Sequence, residues 1–207
     1  MRKKVIQIKS FETYSWLKKL HYARRLPSIS YAFGLYEDLD LIGVITYGMP
    51  ASNSLCIGLC GEQFKEKVIE LNRLCLSDNS KNNASFLVAN SLKLLPKPKI
   101  VVSYADTKMS HTGYIYQATN FIYTGLSAKR TDVDTGEKHG RHSKGFDPTK
   151  RKERSPKHRY IYFLGTKKEK KELLKNLKYQ IQPYPKTQNK NYEIVNKIST
   201  QMVLGGI

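Results

Sequence analysis

The stretch from Val68 to Phe121 alternates between strand and helix patterns, and it reads VIELNRLCLSDNSKNNASFLVANSLKLLPKPKIVVSYADTKMSHTGYIYQATNF. Val68–Leu76 and Lys99–Ala105 are rich in branched apolar residues, which predicts two largely buried strands. Ala84–Leu95 has the length and composition of a helix, and Gly113–Asn120 predicts a shorter one. Polar residues follow each strand directly. Because open α/β sheets bind ligands beyond the carboxyl ends of their strands, we expect a functional site there.

The sequence on both sides of this stretch predicts the remaining elements of one domain. Alternating apolar and polar residues predict further strands at Lys4–Lys9, Tyr31–Tyr36, Leu41–Tyr47, Phe121–Gly125 and His158–Leu164. Helical spacing predicts helices at Phe11–His21 and Lys167–Lys178 and a helical turn at Glu62–Lys67, whereas Gly48–Gly61 is typical of a loop. We therefore predict an α/β (α+β) domain over residues 1–179, in which helices flank a mixed, mainly antiparallel sheet, and a tail over residues 180–207.

The chain is strongly basic, and one segment of it is rich in basic residues. Its 207 residues include 36 Lys and Arg against 17 Asp and Glu, which gives a formal net charge of +19. The excess positive charges repel one another in the folded state. We therefore favour a protein that binds a polyanion over a basic soluble protein without such a partner. The segment 127–157 is a basic insertion before the last strand, and it holds no aliphatic cluster, so we predict no secondary structure for it.

Cysteine content and hydropathy indicate the compartment. The three cysteines, Cys56, Cys60 and Cys75, are too few and too irregularly spaced for a disulfide framework or a closed zinc site. No apolar run approaches the ~18 residues that a membrane span needs, and MRKKVIQIKSFE lacks the apolar core of a signal peptide. We therefore expect a protein of the cytoplasm, in the host cell if a phage encodes it, that does not bind a membrane.

The predicted order of strands and helices resembles the acyltransferase fold of the GNAT superfamily. In that fold the fourth strand leads into a helix whose N-terminus holds the pyrophosphate of acetyl-CoA, and the fifth strand diverges from the fourth. IYQATNFIYTG, residues 115–125, resembles the segment that ends the next helix in that family. The family's phosphate loop has the pattern R/Q-x-x-G-x-G/A, whereas this chain has SDNSKNNASF, without glycine. This departure is typical of an enzyme that has moved away from simple acetyl transfer.

An ordered set of motifs is spread over the chain, and it comprises HYARR, AFGLY, GVITYGMPAS, ELNRLCL, NNAS, SLKLL, VSYAD, H-x-G-x-IYQATNF-x-YTG and KHRYIYFLG. This set resembles the Mom family of bacteriophage DNA-modification proteins, and the resemblance covers roughly residues Tyr14 to Tyr184. The resemblance implies a GNAT-like enzyme that adds a carbamoylmethyl (acetamido) group to N6 of adenine in phage DNA, which protects that DNA from restriction endonucleases. It also implies Fe(II) as a candidate cofactor. The donor stays open between acetyl-CoA and another acyl or glycyl donor.

Such a reaction needs groups that hold adenine, remove a proton from N6 and stabilise the developing charge. Asp106, at the end of VSYAD, is the first candidate for the general base or for an acceptor at the adenine edge, and an N-cap of the next helix is the alternative. Arg73 interrupts an apolar strand, so it must pair either with Glu70 or with a substrate. The other catalytic candidates are Ser103 and Tyr104, which alternate along one strand, and Tyr47.

Candidate cofactor ligands lie in four segments of the chain. The donor is expected at the N-terminus of the predicted helix, where the candidates are Ser80, Lys81, Asn82, Asn83 and Ser85, with N-capping as the alternative for one of them. For a mixed Fe(II) site the candidate ligands are His21, Cys56 and His111. Tyr22, beside His21, is a further candidate to line the cleft, and ordinary packing is the alternative for any one tyrosine.

Double-stranded DNA is the predicted partner. Because N6 pairs with thymine inside a duplex, the reaction predicts that adenine flips out of the helix into an aromatic or amide pocket. Arg24 and basic side chains in and around the insertion are the candidates for phosphate contacts, and a solvated surface loop is the alternative for the insertion. They are Arg24, Arg130, Arg141, Lys144, Arg151, Lys152, Arg154 and Arg159. The sequence leaves the oligomeric state open between a monomer and a homodimer.

Two other functions remain open on the sequence alone. One is a GNAT-like protein that binds nucleic acid without catalysis, which the basic composition alone would explain. The other is an ordinary acetyl-CoA-dependent N-acetyltransferase, which the missing glycines of the phosphate loop disfavour.

Overall fold

The protein is described by a computed structural model that covers residues 2–78, 80–134, 147 and 149–186. Its strands are β1 (Lys3–Gln7), β2 (Tyr31–Glu37), β3 (Asp40–Gly48), β4 (Val68–Leu76), β5 (Lys99–Asp106), β6 (Ile122–Leu126), β7 (Arg130–Val133), β8 (Arg151–Arg154) and β9 (Lys157–Leu164). Its α-helices are α1 (Tyr14–Lys19), α2 (Asn53–Cys60), α3 (Asn83–Leu94), α4 (Tyr114–Ala118) and α5 (Lys167–Lys175). Short 3-10 helices occupy Ser10–Thr13, Glu62–Lys67 and Thr107–Met109.

Seven of these strands form one sheet in the order β1-β2-β3-β4-β5-β9-β6. Its described pairs are antiparallel except β4 with β5, which are parallel because helix α3 carries the chain back between them. This arrangement confirms the predicted mixed, mainly antiparallel sheet flanked by helices.

Strands β4 and β5 separate before they end. Their pairing covers only Val68–Leu71 against Ile100–Ser103, yet β4 continues to Leu76 and β5 to Asp106. The carboxyl-terminal halves of the two strands therefore diverge and leave an opening in the middle of the sheet.

A β-bulge at Asn72 changes which side chains of β4 face this opening. Thr46 pairs with Arg73 and Tyr47 pairs with Leu71, so Asn72 is the extra residue on β4. The Asn72 amide accepts a hydrogen bond from the Thr46 hydroxyl at 2.6 Å and donates one to the Ser28 carbonyl at 2.8 Å. A bulge bends its strand and redirects the residues that follow it. Here the residue that follows is Arg73.

The loop after α1 lies directly against the end of β3. A Cβ atom at Gly48 would overlap the Ser28 backbone, so only glycine allows this close approach. The Ser30 N–H also donates a hydrogen bond to the Tyr47 carbonyl at 2.8 Å. These contacts hold residues 20–30 over the face of the sheet that carries the β4 bulge.

Apolar side chains form a core on each face of the sheet. On one face, Val101 packs in a cluster that includes Leu87 and Leu92 of α3. On the other face, Ile100 and Val102 pack in a cluster with Leu173 of α5 and with side chains of α2. Neighbouring residues of β5 thus belong to opposite cores, as the alternation of a strand buried on both faces requires.

The prediction of a loop at Gly48–Gly61 is wrong, because α2 lies within it. Ser52 caps this helix, with its hydroxyl accepting a hydrogen bond from the Leu55 N–H at 3.3 Å. Leu55, Leu59 and the cysteines Cys56 and Cys60 repeat at helical spacing and pack in the second core. The Gly, Pro and Ser residues at positions 48, 50 and 52 that indicated a loop precede the helix, and Asn53 is its first residue.

The prediction that the basic insertion has no secondary structure is also wrong for its described part. β7 and β8 pair as an antiparallel ribbon, with Arg130 opposite Arg154 and Val133 opposite Arg151. The pattern was missed because these short strands carry charged residues and lack an apolar face. Arg154 and Asp132 form an ion pair at 3.3 Å within this ribbon.

The described part of the tail follows the edge of the sheet. The Gln182 N–H donates to the Tyr123 carbonyl at 2.9 Å, and the Tyr184 hydroxyl donates to the Phe121 carbonyl at 2.7 Å. Among the residues that the structure describes, no helix has the length and apolar composition to cross a membrane.

Candidate active site

The opening between β4 and β5 brings together polar side chains from four segments. β4 supplies Glu70 and Arg73, and β5 supplies Asp106 at its end. The loop after α1 supplies His21 and Tyr22, whereas His111 comes from the loop after β5. The sequence predicted that polar groups gather at these strand ends, and the divergence of the two strands is what makes room for them.

Arg73 is the most unusual group of this cluster. Its Nη1 donates to the Asn72 carbonyl at 2.6 Å, but its Nε is buried without a hydrogen-bond partner among the described residues. Burial lowers the pKa of the guanidinium, and the nearby charge of Arg25 lowers it further, while Tyr22 and Glu70 act in the opposite direction. A buried donor without a partner is costly, so it points to a ligand that is absent from the free protein.

His21 is a buried, neutral imidazole of defined tautomer. Its Nδ1 accepts a hydrogen bond from the Ala23 N–H at 3.1 Å, so the ring proton resides on Nε2. Burial, with the charges of Arg73 and His111, lowers the His21 pKa to about 4. At neutral pH the residue is therefore a hydrogen-bond donor and not a proton acceptor.

Tyr22 covers His21 and reaches the rim of the opening. Its ring stacks on the His21 ring with a centroid distance of 4.4 Å, and it meets the His111 ring edge to face at 6.0 Å. The Tyr22 side chain remains 53% exposed. Burial of the hydroxyl and the charge of Asp106 raise its pKa, so the hydroxyl stays protonated at neutral pH.

His111 and Glu70 are the candidate proton acceptors of the site. Burial lowers the pKa of His111, although Asp106 raises it in part, so its imidazole is neutral. Burial raises the pKa of the Glu70 carboxyl, although Arg73, Lys157 and Arg25 oppose this shift. Both residues are only partly buried, so a substrate can reach them.

His111 is held in place by the strand behind its loop. The Tyr160 hydroxyl donates to the Thr112 carbonyl, and a Cβ atom at Gly113 would overlap the Tyr160 ring. Gly113 also has a φ of 79°, which favours glycine. The glycine of the H-x-G motif therefore allows this loop to pack closely against β9.

The Asp106 carboxylate is already hydrogen-bonded and ion-paired within the protein, so it is a poor general base. Its carboxylate accepts hydrogen bonds from the Ser155 hydroxyl at 2.6 Å and the Lys108 N–H at 3.0 Å, and it pairs with Lys157 at 3.0 Å. Burial raises the pKa of Asp106, but these partners outweigh it and hold the pKa below its usual range. The structure therefore supports the alternative that Asp106 is an N-cap, here of the 3-10 helix Thr107–Met109.

The other catalytic candidates from the two strands separate as alternation requires. Tyr104 is on the face of β5 that carries Asp106, whereas Ser103 is fully buried on the opposite face, where its hydroxyl donates to the Leu71 carbonyl at 2.9 Å. The prediction that Tyr47 lines the cleft is wrong. Its side chain is fully buried, and its hydroxyl shares a 2.7 Å hydrogen bond with Ser91 of α3.

The predicted metal site is not assembled in the described part of the chain. There, no three His, Cys, Asp or Glu side chains lie close enough together to hold a metal ion. Cys56 instead belongs to the core between α2 and α5, and its thiol contacts the Ser52 carbonyl at 3.6 Å. The set His21, Cys56 and His111 is therefore wrong as a ligand set, and Fe(II) does not fit these residues.

The loop before α3 is only partly suited to a pyrophosphate. The Ser80 N–H already donates to the Asp78 carboxylate at 2.9 Å, which places a negative charge in the loop. Asn83 is buried, and its side chain accepts a hydrogen bond from Lys3 of β1 at 2.8 Å, so it is not available to a donor. The Ser85 hydroxyl donates to the Asn82 carbonyl at 3.1 Å. Lys81 is exposed.

The predicted DNA contacts divide into three groups. Arg24 and the ribbon residues Arg130, Arg151, Lys152 and Arg154 are exposed, whereas Arg141 and Lys144 lie outside the described residues. Arg159 is wrong as a phosphate contact because it is only 9% exposed. Its guanidinium stacks 3.4 Å from the Tyr179 ring centroid and donates to the Thr124 hydroxyl at 2.9 Å and carbonyl at 3.1 Å.

Sequence reasoning missed two residues that shape the site. Lys157 pairs with Asp106 because β9 lies antiparallel to β5 with these two residues in register. Tyr116 of α4 shares a hydrogen bond with Ser103, and burial raises its pKa to about 12. Neither role has a local sequence signal, because each depends on which strands and helices become neighbours.

The comparison with protein families and curated sequences gives one consistent result. The Mom protein family matches residues 3–186 of the chain. The protein named methylcarbamoylase mom of Escherichia phage Mu is 30% identical over 188 residues, which span 80% of this chain and 76% of that protein.

The matching solved structures are described as acetyltransferases or candidate acetyltransferases, and they have little sequence in common with this chain. One from Acinetobacter baylyi is 12% identical, with a TM-score of 0.50 over 80% of this chain and 94% of its own. A GNAT-family acetyltransferase from Bacillus cereus is 13% identical, with a TM-score of 0.47 over 80% and 100%. Another, from Salmonella typhimurium, holds its cofactor acetyl-CoA and is 9% identical, with a TM-score of 0.47 over 79% and 94%. The predicted GNAT-like fold is confirmed.

Proposed function

The chain belongs to the Mom protein family, and on that premise we propose that it is a transferase that attaches a carbamoylmethyl (acetamido) group to N6 of adenine in phage DNA. The modification would protect the DNA from restriction endonucleases. The observation that carries this proposal is the buried Arg73 Nε, which has no partner among the described residues and lies in an opening that is lined by proton acceptors and an exposed aromatic ring.

The reaction asks for three things from the protein. The adenine N6 is a weak nucleophile because its lone pair is delocalised into the ring, so it must be held in line with an electrophilic donor carbon. A bond forms between N6 and that carbon, and the leaving group of the donor departs with the bonding electrons. One N6 proton must be accepted, and the charge that develops on the donor must be stabilised.

The side chains of the opening meet these needs. The Arg73 guanidinium supplies fixed N–H donors and a positive charge for the developing negative charge. We assign the N6 proton to His111, because its neutral imidazole stands at the rim beside Tyr22, where a base can enter. His21 donates from Nε2, and Asp106 positions the loop that carries His111.

The donor is proposed to enter from the side of α3. If it is acetyl-CoA or another phosphate-bearing acyl or glycyl donor, Ser80, Lys81 and Asn82 are the polar residues just before this helix that could contact it. The Asp78 carboxylate occupies the turn where glycines would let a pyrophosphate approach. This difference from the GNAT phosphate loop favours a donor that is bound less through its phosphates and more through contacts with side chains of the opening between β4 and β5.

Double-stranded DNA is the proposed partner, with the β7–β8 ribbon as its main contact. Arg130, Lys152, Arg154 and Asp132 share one face of the ribbon, because residues directly opposite on antiparallel strands lie on the same side. Three positive charges against one negative charge suit this face to phosphates. A two-stranded ribbon also has the dimensions that the major groove admits.

Mass spectrometry of nucleosides tests the proposed function. DNA is isolated from cells that express the wild-type chain, with and without added iron, and from cells that express His111→Ala. The wild type is expected to yield an N6-modified deoxyadenosine, and His111→Ala much less. The mass of the added group distinguishes a carbamoylmethyl group from the acetyl group that an ordinary acetyltransferase would transfer. Unmodified DNA from folded wild-type protein would contradict the proposal and leave the two other functions, nucleic-acid binding and acetyl transfer to another substrate.

A further inference from the structure

Tyr22 presents one open face of an aromatic ring at the rim of the candidate active site. Its other face rests on the His21 ring at a centroid distance of 4.4 Å with an interplanar angle of 30°. The edge of the stack is closed on one side by His111, whose ring meets Tyr22 edge to face. Because the Tyr22 side chain is still 53% exposed, its outer face is available to a ligand.

Backbone hydrogen bonds fix the turn that carries this stack. The His21 N–H donates to the Trp16 carbonyl at 3.1 Å, and the Arg24 N–H donates to the His21 carbonyl at 2.9 Å. Between them the Ala23 N–H is bound to the His21 imidazole at 3.1 Å. His21 is only 7% exposed, so its buried ring is a rigid support for the Tyr22 ring. A ring held in this way loses little freedom when a ligand stacks on it.

The charges around Tyr22 favour an electron-rich, anionic ligand. Arg25 and Arg73 both lie close enough to influence the Tyr22 hydroxyl, with Asp106 as the acidic group on the same side. Glu70 and Lys157 face the same opening from β4 and β9. The hydroxyl is protonated at neutral pH and therefore does not compete as a base. The exposed ring face is the part of Tyr22 that remains for binding.

We infer that the open face of the Tyr22 ring is the stacking surface for an unpaired purine base of DNA, with His21 as the second layer and His111 at its edge. The inference rests on the proposed function, and it identifies where the target adenine lies after it has left the duplex. A flipped base loses both of its stacking neighbours, and an aromatic side chain on a fixed support replaces one of them. On this surface the base lies beside His111, the group that we assign to accept the N6 proton.

Binding of single-stranded oligonucleotides tests this site without the need to flip a base. One probe carries a single adenine among thymines, and its partner carries an abasic site at that position. Fluorescence anisotropy measures the affinity for both probes with the wild type, Tyr22→Ala and Tyr22→Phe. Tyr114→Ala serves as a matched control, because Tyr114 is also a tyrosine that is 53% exposed. Thermal unfolding confirms that each variant is folded.

The wild type is expected to prefer the adenine probe by about tenfold, as loss of one base–aromatic stack would predict. Tyr22→Ala should lose this preference, whereas Tyr22→Phe and Tyr114→Ala should keep it, since both retain the ring at position 22. Equal affinity of the wild type for both probes would overturn the inference. An equal loss with Tyr22→Phe and Tyr22→Ala would also overturn it, because the hydroxyl and not the ring would then bind.

Nucleoside mass spectrometry on the same proteins separates this inference from the proposed function. If the wild type modifies adenine but shows no preference that depends on the Tyr22 ring, the stacking site is wrong and the enzymatic function stands. If the preference depends on the ring but no modified nucleoside forms, the purine site stands and the proposed function fails.

Discussion

The Lys157 Nζ lies 3.0 Å from Oδ2 of Asp106, and this ion pair joins the root of the basic ribbon to the active-site loop. Ser155, in the linker between β8 and β9, donates its hydroxyl to the other carboxylate oxygen at 2.6 Å. The Thr107 hydroxyl reaches across to the Pro156 carbonyl at 2.7 Å. The ribbon that we propose to bind DNA is therefore attached to the segment that leads to His111. We therefore predict that DNA binding at the ribbon affects the position of the His111 loop.

Replacement of Asp106 tests this connection. Asp106→Asn keeps the shape of the side chain but removes the charge that three partners share, so we expect the free energy of unfolding to fall by about 1–2 kcal/mol at pH 7. DNA modification should fall with it, because the His111 loop is no longer fixed. Chemical denaturation and nucleoside mass spectrometry measure the two effects, with Glu62→Gln as a control for an exposed ion pair.

The pH dependence of the Asp106 effect has a defined sign. Because the folded-state pKa of Asp106 is below its usual value of about 3.9, the contribution is complete above that value and disappears as the pH falls through the folded pKa. The wild type and Asp106→Asn should therefore differ in stability at pH 7 and converge in strong acid. A difference that persists unchanged at low pH would contradict the role of the charge.

For Asp106 we expect stability and activity to fall together, whereas for Arg73 we expect activity to fall without a loss of stability. Burial and the nearby Arg25 both disfavour its charge, so Arg73→Met is expected to leave the free energy of unfolding unchanged or to raise it. Modification should fall by about a hundredfold or more, as when a fixed donor to a developing charge is removed. Arg73→Lys should restore little, since a lysine lacks the planar set of donors. A large loss of stability with normal modification per folded molecule would make Arg73 structural.

The sequence predicted the parts of this site that depend on local pattern. Strand β4 was predicted with its correct limits, and β5 was predicted with an end one residue too early. Both strands were recognisable because each is a run of branched apolar residues between polar loops. His21, Tyr22, Arg73, Asp106 and His111 were all singled out, and they do surround one opening. Their proximity follows from the chain order of a GNAT-like sheet, in which α1 and the end of β5 lie on either side of β4.

The roles that failed depend on register and neighbours, which no local pattern encodes. Asp106 was predicted as a base, but the pairing of β5 with β9 places Lys157 opposite it. Tyr47 was predicted in the cleft, but it lies with Ile45 on the face of β3 that packs against α3, where its hydroxyl bonds Ser91 in the core. Arg159 follows the basic residues of the insertion closely in sequence, yet it lies in β9 and is buried, with Tyr179 packed over its guanidinium.

His21 predicts a loss of stability in mild acid. Its folded-state pKa is about 4, whereas an unfolded histidine has a pKa near 6.5, so the unfolded chain binds more protons between these values. Stability should therefore fall as the pH decreases from about 6.5 to 4, by up to about 3 kcal/mol from this residue. His21→Phe keeps a ring beneath Tyr22 and removes the titration. Denaturation at several pH values should show a smaller slope for this variant, and an equal slope would exclude His21 as the cause.

The ribbon predicts a salt dependence of DNA binding that differs between its two faces. Arg130 and Lys152 lie on the face with the excess of positive charge, whereas Arg151 lies on the other face and donates to the Thr131 hydroxyl at 3.0 Å. Each phosphate contact that is lost should reduce the slope of log K against log salt by about 0.9, so Arg130→Gln with Lys152→Gln should reduce it by about 1.8. Arg151→Gln should change it less. Titrations of duplex DNA at several salt concentrations measure the slopes, and Lys168→Gln with Lys171→Gln on α5 is the control of equal charge. If both double variants lower the slope alike, the protein binds DNA through its overall charge and not through the ribbon.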